Sequence, residues 1–262
     1  MQLKTLSGFA LGLLFVAAAC GGGSQAPGSS TEAPAAAPSA AVDPATAGSI
    51  TGKVMFEGAA PKNDPIKMNA DPVCLQVNKG VQTQETYMVG SGGELENVFV
   101  YVKDGLGSLT FTAPTTPVTL DQRGCRYRPH VFGIMIGQPL EILNSDPTLH
   151  NIHAVPKVNR EFNTGQPIQG MKTSQTFTTK EVMLPFKCDV HGWMNAYVGV
   201  LDHPYFAVSG ATGTFEIANL PPGNYTIEAW HERGGVQTQM VTIGPKETKD
   251  VAFTFKAAAT TN

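Results

Sequence analysis

Phe186-Lys187-Cys188-Asp189-Val190-His191-Gly192-Trp193-Met194 is the stretch on which the reading of this chain turns. It offers a thiol, an imidazole and a thioether at three-residue spacings. Runs of β-forming residues flank it, Thr176 to Leu184 before and Tyr197 to Leu201 after. Three metal-binding side chains on one tight loop between strands make an incomplete ligand set. The rest has to come from a neighbouring strand upstream.

Working outward, the chain stays β in character. Ile50 to Phe56 reads as a strand closed by Glu57-Gly58. Val98-Phe99-Val100-Tyr101-Val102 is a dense β-branched and aromatic run closed by Asp104-Gly105. Pro117 to Leu120, Phe132 to Ile136 and Leu140 to Leu143 follow, the last after a Gly137-Gln138-Pro139 turn. Beyond the loop come Thr214 to Ile217, a Leu220-Pro221-Pro222-Gly223 turn, Tyr225 to Trp230, Gln239 to Ile243 and Val251 to Phe255. With 28 Gly and 19 Pro among 262 residues, turns and strands are favoured over long helices, no helical periodicity stands out beyond the N-terminal segment, and the pattern predicts an all-β sandwich or barrel.

A type 1 (blue) copper site needs two imidazoles and a thiolate near one plane, plus a weak axial thioether. Asn144-Ser145-Asp146-Pro147-Thr148-Leu149-His150-Asn151-Ile152 supplies a second imidazole at His150. His153 is an odd number of residues away on the same strand and so faces the opposite side. Other metal chemistries fit less well. Haem attachment needs a cysteine where Pro185 stands, and structural zinc prefers more than one thiolate.

These two segments resemble those of the plastocyanin and amicyanin group of cupredoxins, with the short Cys-to-Met spacing nearest to amicyanin. The resemblance covers residues 112–203 and implies a Greek-key β-sandwich. It implies one copper held by His150, Cys188, His191 and Met194. It further implies that Asn151 ties the two ligand loops together, with Asp189 as a partner. In that group the imidazole on the ligand loop, His191 here, exposes its edge within an apolar patch, which Gly192 and Trp193 would line; simple core packing is the alternative for Trp193.

The flanks resemble a different family. Gly213 to Ile217 with Leu220 to Thr226, and Ile50 to Pro61, are similar to carboxypeptidase regulatory-like domains, which are prealbumin-like β-sandwiches. The expected organisation is a β flank over 48–111, the cupredoxin over 112–203 and an accessory β region over 204–256. The two flanks either build one discontinuous sandwich into which the cupredoxin is inserted, or the chain forms one enlarged sandwich or two domains in series.

Lys4 followed by the apolar run Leu6 to Val16 reads as an export signal, too short to span a bilayer. Ala17-Ala18-Ala19-Cys20-Gly21 resembles a bacterial lipobox, although Ala17 stands where Leu is usual. That implies a signal over 1–19 and lipidation at Cys20; an ordinary secretory signal is the alternative. Residues 20–47 are small and polar and read as a disordered tether. Outside the reducing cytosol, the unassigned Cys74 and Cys125 form a natural disulfide, the alternative being two buried thiols. Neither adjoins a ligand in sequence, so the bridge is expected to act on stability alone.

The formal net charge is −3 with no basic run, which argues against nucleic-acid binding. The expected function is one-electron transfer between periplasmic or surface redox proteins, such as a cytochrome or dehydrogenase, from a lipid-anchored position on a bacterial membrane. A copper storage, delivery or oxidase-assembly module is the alternative. An enzyme is not expected, because the further His clusters of multicopper enzymes are missing.

Overall fold

Residues 42–257 are described by a computed structural model. The signal segment, Cys20 and most of the tether lie outside the described residues. Sixteen strands are present among those residues. They are β1 (Gly48–Glu57), β2 (Phe99–Asp104), β3 (Val118–Gln122), β4 (Tyr127–Arg128), β5 (Val131–Met135), β6 (Leu140–Asn144), β7 (His150–Ala154) and β8 (Phe162–Gln166). After them come β9 (Lys172–Gln175), β10 (Glu181–Lys187), β11 (Asn195–Leu201), β12 (Phe206–Val208), β13 (Thr214–Leu220), β14 (Gly223–His231), β15 (Gly235–Ile243) and β16 (Thr248–Lys256).

The strands make four sheets, which pair into two sandwiches. The central sandwich joins sheet β5-β11-β10-β7-β8 to sheet β4-β3-β6-β9. Alternation along β6 sends Leu140, Ile142 and Asn144 inward. Leu140 and Ile142 meet Leu120, Phe132, Ile134, Ile152, Phe186 and Val198 in one buried core. The flanking sandwich joins sheet β13-β1-β16 to sheet β12-β2-β14-β15, so strands from both chain ends share its sheets. β1 is its middle strand, antiparallel to β13 and parallel to β16. Its alternate residues Ile50, Val54 and Phe56 pack with Val100, Val102, Ile227, Phe253 and Phe255.

A third buried cluster joins the sandwiches, with Phe99 and Tyr101 from β2 meeting Val131, Met183 and Leu201. Two glycines paired across β5 and β11, Gly133 and Gly199, make room for it. A Cβ on Gly199 would lie 2.3 Å from the Phe99 ring, and one on Gly133 2.3 Å from the Phe206 ring. The two rings stack on each other at 5.7 Å.

Several expectations are corrected here. The described residues include 42–47, part of the expected tether. The Asp43 carboxylate caps a turn at Ala45, and Val42 packs on the flanking core. The strand expected at Thr176 to Leu184 runs instead from Glu181 to Lys187. A helix is present, α1 (Pro72–Val77), capped by the Asp71 side chain with Pro72 at its start. Six residues are too few for a helical period to be read. This helix lies within the expected N-terminal flank, yet Met68 and Cys74 are buried in the central core. Cys74 is bonded to Cys125 there.

Candidate metal centre

The centre forms where a β ladder stops. β10 pairs with β7 only at Phe186 with Ala154 and Lys187 with His153. Beyond that point the chains part, and Asn151 fills the gap. Its Oδ1 accepts from the backbone N–H groups of Asp189 (2.8 Å) and Val190 (3.4 Å). Its Nδ2 donates to Asn163 (2.7 Å) and Asp189 (3.3 Å). One side chain on β7 thus fixes the start of the Cys188–Met194 loop. The loop closes on itself, with Met194 N–H donating to His191 C=O (2.8 Å) and Cys188 N–H to Met194 C=O (3.1 Å).

These bonds bring His150, Cys188 and His191 together, all buried. One donor atom from each lies within 4.8 Å of the other two. Cys188 Sγ is 4.0 Å from His191 Nδ1 and accepts from the His191 backbone N–H at 3.3 Å. Met194 is buried in the same core.

The outer nitrogens define the tautomers. His150 Nε2 is 2.9 Å from Asp146 Oδ2, and His191 Nε2 is 3.0 Å from Asp71 Oδ2. An ionised carboxylate only accepts, so each Nε2 carries a proton. In neutral rings both Nδ1 atoms are then bare acceptors, and they face each other at 2.9 Å. Two lone pairs repel at that distance. A cation bound by both converts the repulsion into attraction, and the adjacent sulfur supplies an anionic third donor. The donor set therefore fits a metal ion.

Charge supports this arrangement. Burial pushes the Cys188 thiol up, but the neighbouring His150 and His191 rings and backbone N–H groups outweigh it and bring it down to about 6. Burial opposes a charged His150, and Asp146 and Cys188 outweigh that in turn, raising its pKa, so that without a metal a proton on His150 Nδ1 takes the place between the rings that a bound cation would take. The Asp146 carboxyl is raised by burial, but His150 and the backbone amides of Cys125 and Gly124 hold it below the usual range. Those amides donate at 2.7 and 2.8 Å. They point at Asp146 because Gly124 and Cys125 both adopt positive φ, +65° and +52°. They form the tip of the β3–β4 hairpin, a mirror-image turn that Gly accepts freely and Cys accepts with strain.

Asp71 and Asp146 were not singled out in sequence. Asp71 was visible only as an Asp-Pro pair, a helix-start signal, and nothing local places it on an imidazole 120 residues later. The expected exposed edge of His191 is overturned as well. His191 is 1% exposed, because Asp71 and α1 cover it. Trp193 lies against its ring at 5.0 Å and donates from Nε1 to Cys125 C=O at 3.0 Å. The disulfide also adjoins the centre in space, with Cys74 Sγ 3.8 Å from His191 Nε2.

The remaining histidines lie elsewhere. His153 faces outward between Glu161 (2.8 Å) and Asp189 (2.9 Å). His130 pairs with Glu232 at 2.9 Å. His203 and His231 are both buried. Among the described residues they join no group able to hold a metal.

Comparison with known proteins gives partial likenesses. A family model described as polysaccharide lyase family 4, domain II, matches residues 174–251. That span runs from β9 to β16, takes in the Cys188–Met194 loop and carries a different description from the carboxypeptidase regulatory-like one. None of the curated proteins matches this chain. Among solved structures, a Cu-containing nitrite reductase from Thermus scotoductus SA-01 is similar at 22% identity and a TM-score of 0.32. The match covers 34% of this chain and 23% of that one. The chain therefore spans less than a quarter of that enzyme. A reduced variant of amicyanin is similar at 23% identity and a TM-score of 0.29, over 34% of this chain and 85% of that one. A purple cupredoxin from Nitrosopumilus maritimus is similar at 24% identity and a TM-score of 0.26, over 29% and 81%.

Proposed function

We propose that this chain is a type 1 copper protein that carries single electrons between exported redox partners and does not itself catalyse a reaction. The observation that carries the reading is the pair of Nδ1 atoms 2.9 Å apart, with both Nε2 atoms committed to carboxylates. His150, His191 and Cys188 would hold the ion, with Met194 as the weak fourth ligand. Copper bound there would supply a one-electron couple.

The chain's own part is to hold the ligands still. Asn151 ties the two ligand loops, Asp146 and Asp71 fix the rings, and burial excludes water. A scaffold that does not move between oxidation states keeps reorganisation small. The same anchoring and burial disfavour metal release, which sets the carrier reading above a delivery module. Export and lipid attachment at Cys20 complete the proposal and rest on the N-terminal sequence.

Repeated reduction by ascorbate and reoxidation by ferricyanide, in the presence of a strong Cu(I) chelator, tests the carrier role. A carrier keeps its copper through many cycles. Loss of copper to the chelator at the first reduction would favour delivery.

A further inference from the structure

The two imidazoles are held from outside in different ways. Asp146 belongs to the central sandwich and sits four residues from the His150 it holds. Asp71 comes from a separate stretch of chain that crosses over the centre. Its Oδ1 accepts from Val73 N–H and caps α1 (2.8 Å). Its Oδ2 takes both His191 Nε2 (3.0 Å) and the Thr148 hydroxyl (2.8 Å). Thr148 lies in the turn just before His150, so one carboxylate oxygen touches both ligand loops.

The segment that carries Asp71 is tied to the Gly124–Cys125 turn at two points. Cys74 is bonded to Cys125. Asn78 Nδ2 donates to Gly124 C=O at 3.0 Å and to Cys74 C=O at 2.9 Å. Both Asp71 oxygens accept hydrogen bonds, from Val73 N–H, the Thr148 hydroxyl and His191 Nε2, as a carboxylate does. A carboxylate is therefore held against the outer edge of the His191 ring.

We infer that Asp71 is a positioning residue that fixes His191 from its outer edge and lowers the reduction potential of the centre. The inference rests on the copper reading. A carboxylate that accepts the Nε2 proton makes the ring a stronger donor at Nδ1, which favours the more highly charged oxidation state. The negative charge acts in the same direction. The cap also removes the His191 edge as the electron's way in or out, so exchange with partners runs across the cap or the neighbouring loops.

The test compares wild type, Asp71→Asn and Asn78→Ala in the whole mature protein. Asparagine caps a helix as well as aspartate does, so α1 is retained. Copper-loaded Asp71→Asn should keep its visible band and shift the Cu(II)/Cu(I) equilibrium about tenfold toward Cu(I), a rise of about 59 mV for one electron. Asn78→Ala loosens the cap without touching the ring, and should lower Tm while leaving the potential in place. Equal potentials for wild type and Asp71→Asn, or equal shifts in both variants, would overturn the assignment.

A metal-free measurement separates this proposal from the copper reading. In NMR of the copper-free protein, His191 should show a protonated, slowly exchanging, downfield Nε2. That proton should move upfield and exchange faster in Asp71→Asn. Wild-type protein that shows this proton but takes up no copper defeats the copper reading and leaves the Asp71–His191 bond standing. A His191 ring protonated only at Nδ1 defeats the bond itself.

Discussion

His150 Nδ1 and His191 Nδ1 face each other at 2.9 Å, with their outer nitrogens on Asp146 and Asp71. One ring comes from β7 and the other from the Cys188–Met194 loop, and different carboxylates aim them, yet they converge on one point beside Cys188.

His150 and His153 lie on opposite faces of β7, one fully buried and the other outward between Glu161 and Asp189. In copper-loaded protein, His150→Gly should open an equatorial position and change the visible spectrum, and added imidazole should restore it. His153→Gly should leave the spectrum nearly unchanged. Absorbance with and without imidazole measures both, and the reverse pattern would place the ligand on the other face.

Removing the Cys74–Cys125 bridge, by Ser at both positions, should destabilise the fold and disturb the centre. The sequence separation is 51, for which chain entropy alone gives about 4 kcal/mol. Because Cys74 Sγ touches the outer edge of His191, the visible band should persist but shift as the cap loosens. Urea unfolding gives the first effect and absorbance the second. A destabilised variant with an unmoved spectrum would show that the cap does not act on His191.

Gly199→Ala should wedge the two sandwiches apart. The added methyl meets the Phe99 ring inside a closed interface, and overpacking of this kind costs about 1–3 kcal/mol. Phe99→Leu in the same chain should recover part of the loss. Denaturant titration of the single and double variants reads the coupling, and additive losses would mean the methyl is accommodated elsewhere.

Acid should destabilise the flanking sandwich through His231. Burial is the main cause that lowers its pKa from the ordinary 6.5 to about 4. Its Nδ1 accepts from Gly234 N–H at 2.9 Å and Arg233 N–H at 3.3 Å, so a proton there would displace both bonds. The unfolded chain binds this proton more readily than the folded one. Stability is therefore complete above pH 6.5 and falls as pH drops from 6.5 toward 4. His203, depressed to about 4 chiefly by burial, adds in the same direction. His231→Asn keeps an acceptor for the turn and removes the titration, so its stability should fall less over that range. Equal pH slopes for variant and wild type would assign the loss to other groups.

The strand pattern and the four proposed ligands could be read from sequence for a physical reason. Cys188, His191 and Met194 share one loop, and His150 stands beside an Asn whose bonds are local to two adjacent strands. The carboxylates behind the rings were not legible. Asp71 reaches His191 only because a six-residue helix, too short to show a period, is carried across the centre and bonded to Cys125. Asp146 needs the positive-φ turn at Gly124 and Cys125 to pin it. The burial of His203 and His231 was not legible either, because it depends on the flanking sandwich, assembled from chain segments more than 100 residues apart. The covered edge of His191 follows from the same long-range closure, against the expectation that the family resemblance set.

The central claim is that His150, Cys188, His191 and Met194 form one type 1 copper site. Titration of the mature protein with Cu(II), followed by visible absorbance, tests it most directly. The account predicts an intense thiolate-to-copper band that saturates at one equivalent in wild type and is absent from Cys188→Ser. A wild-type protein that binds copper with no such band, or a Cys188→Ser protein that stays blue, would contradict it.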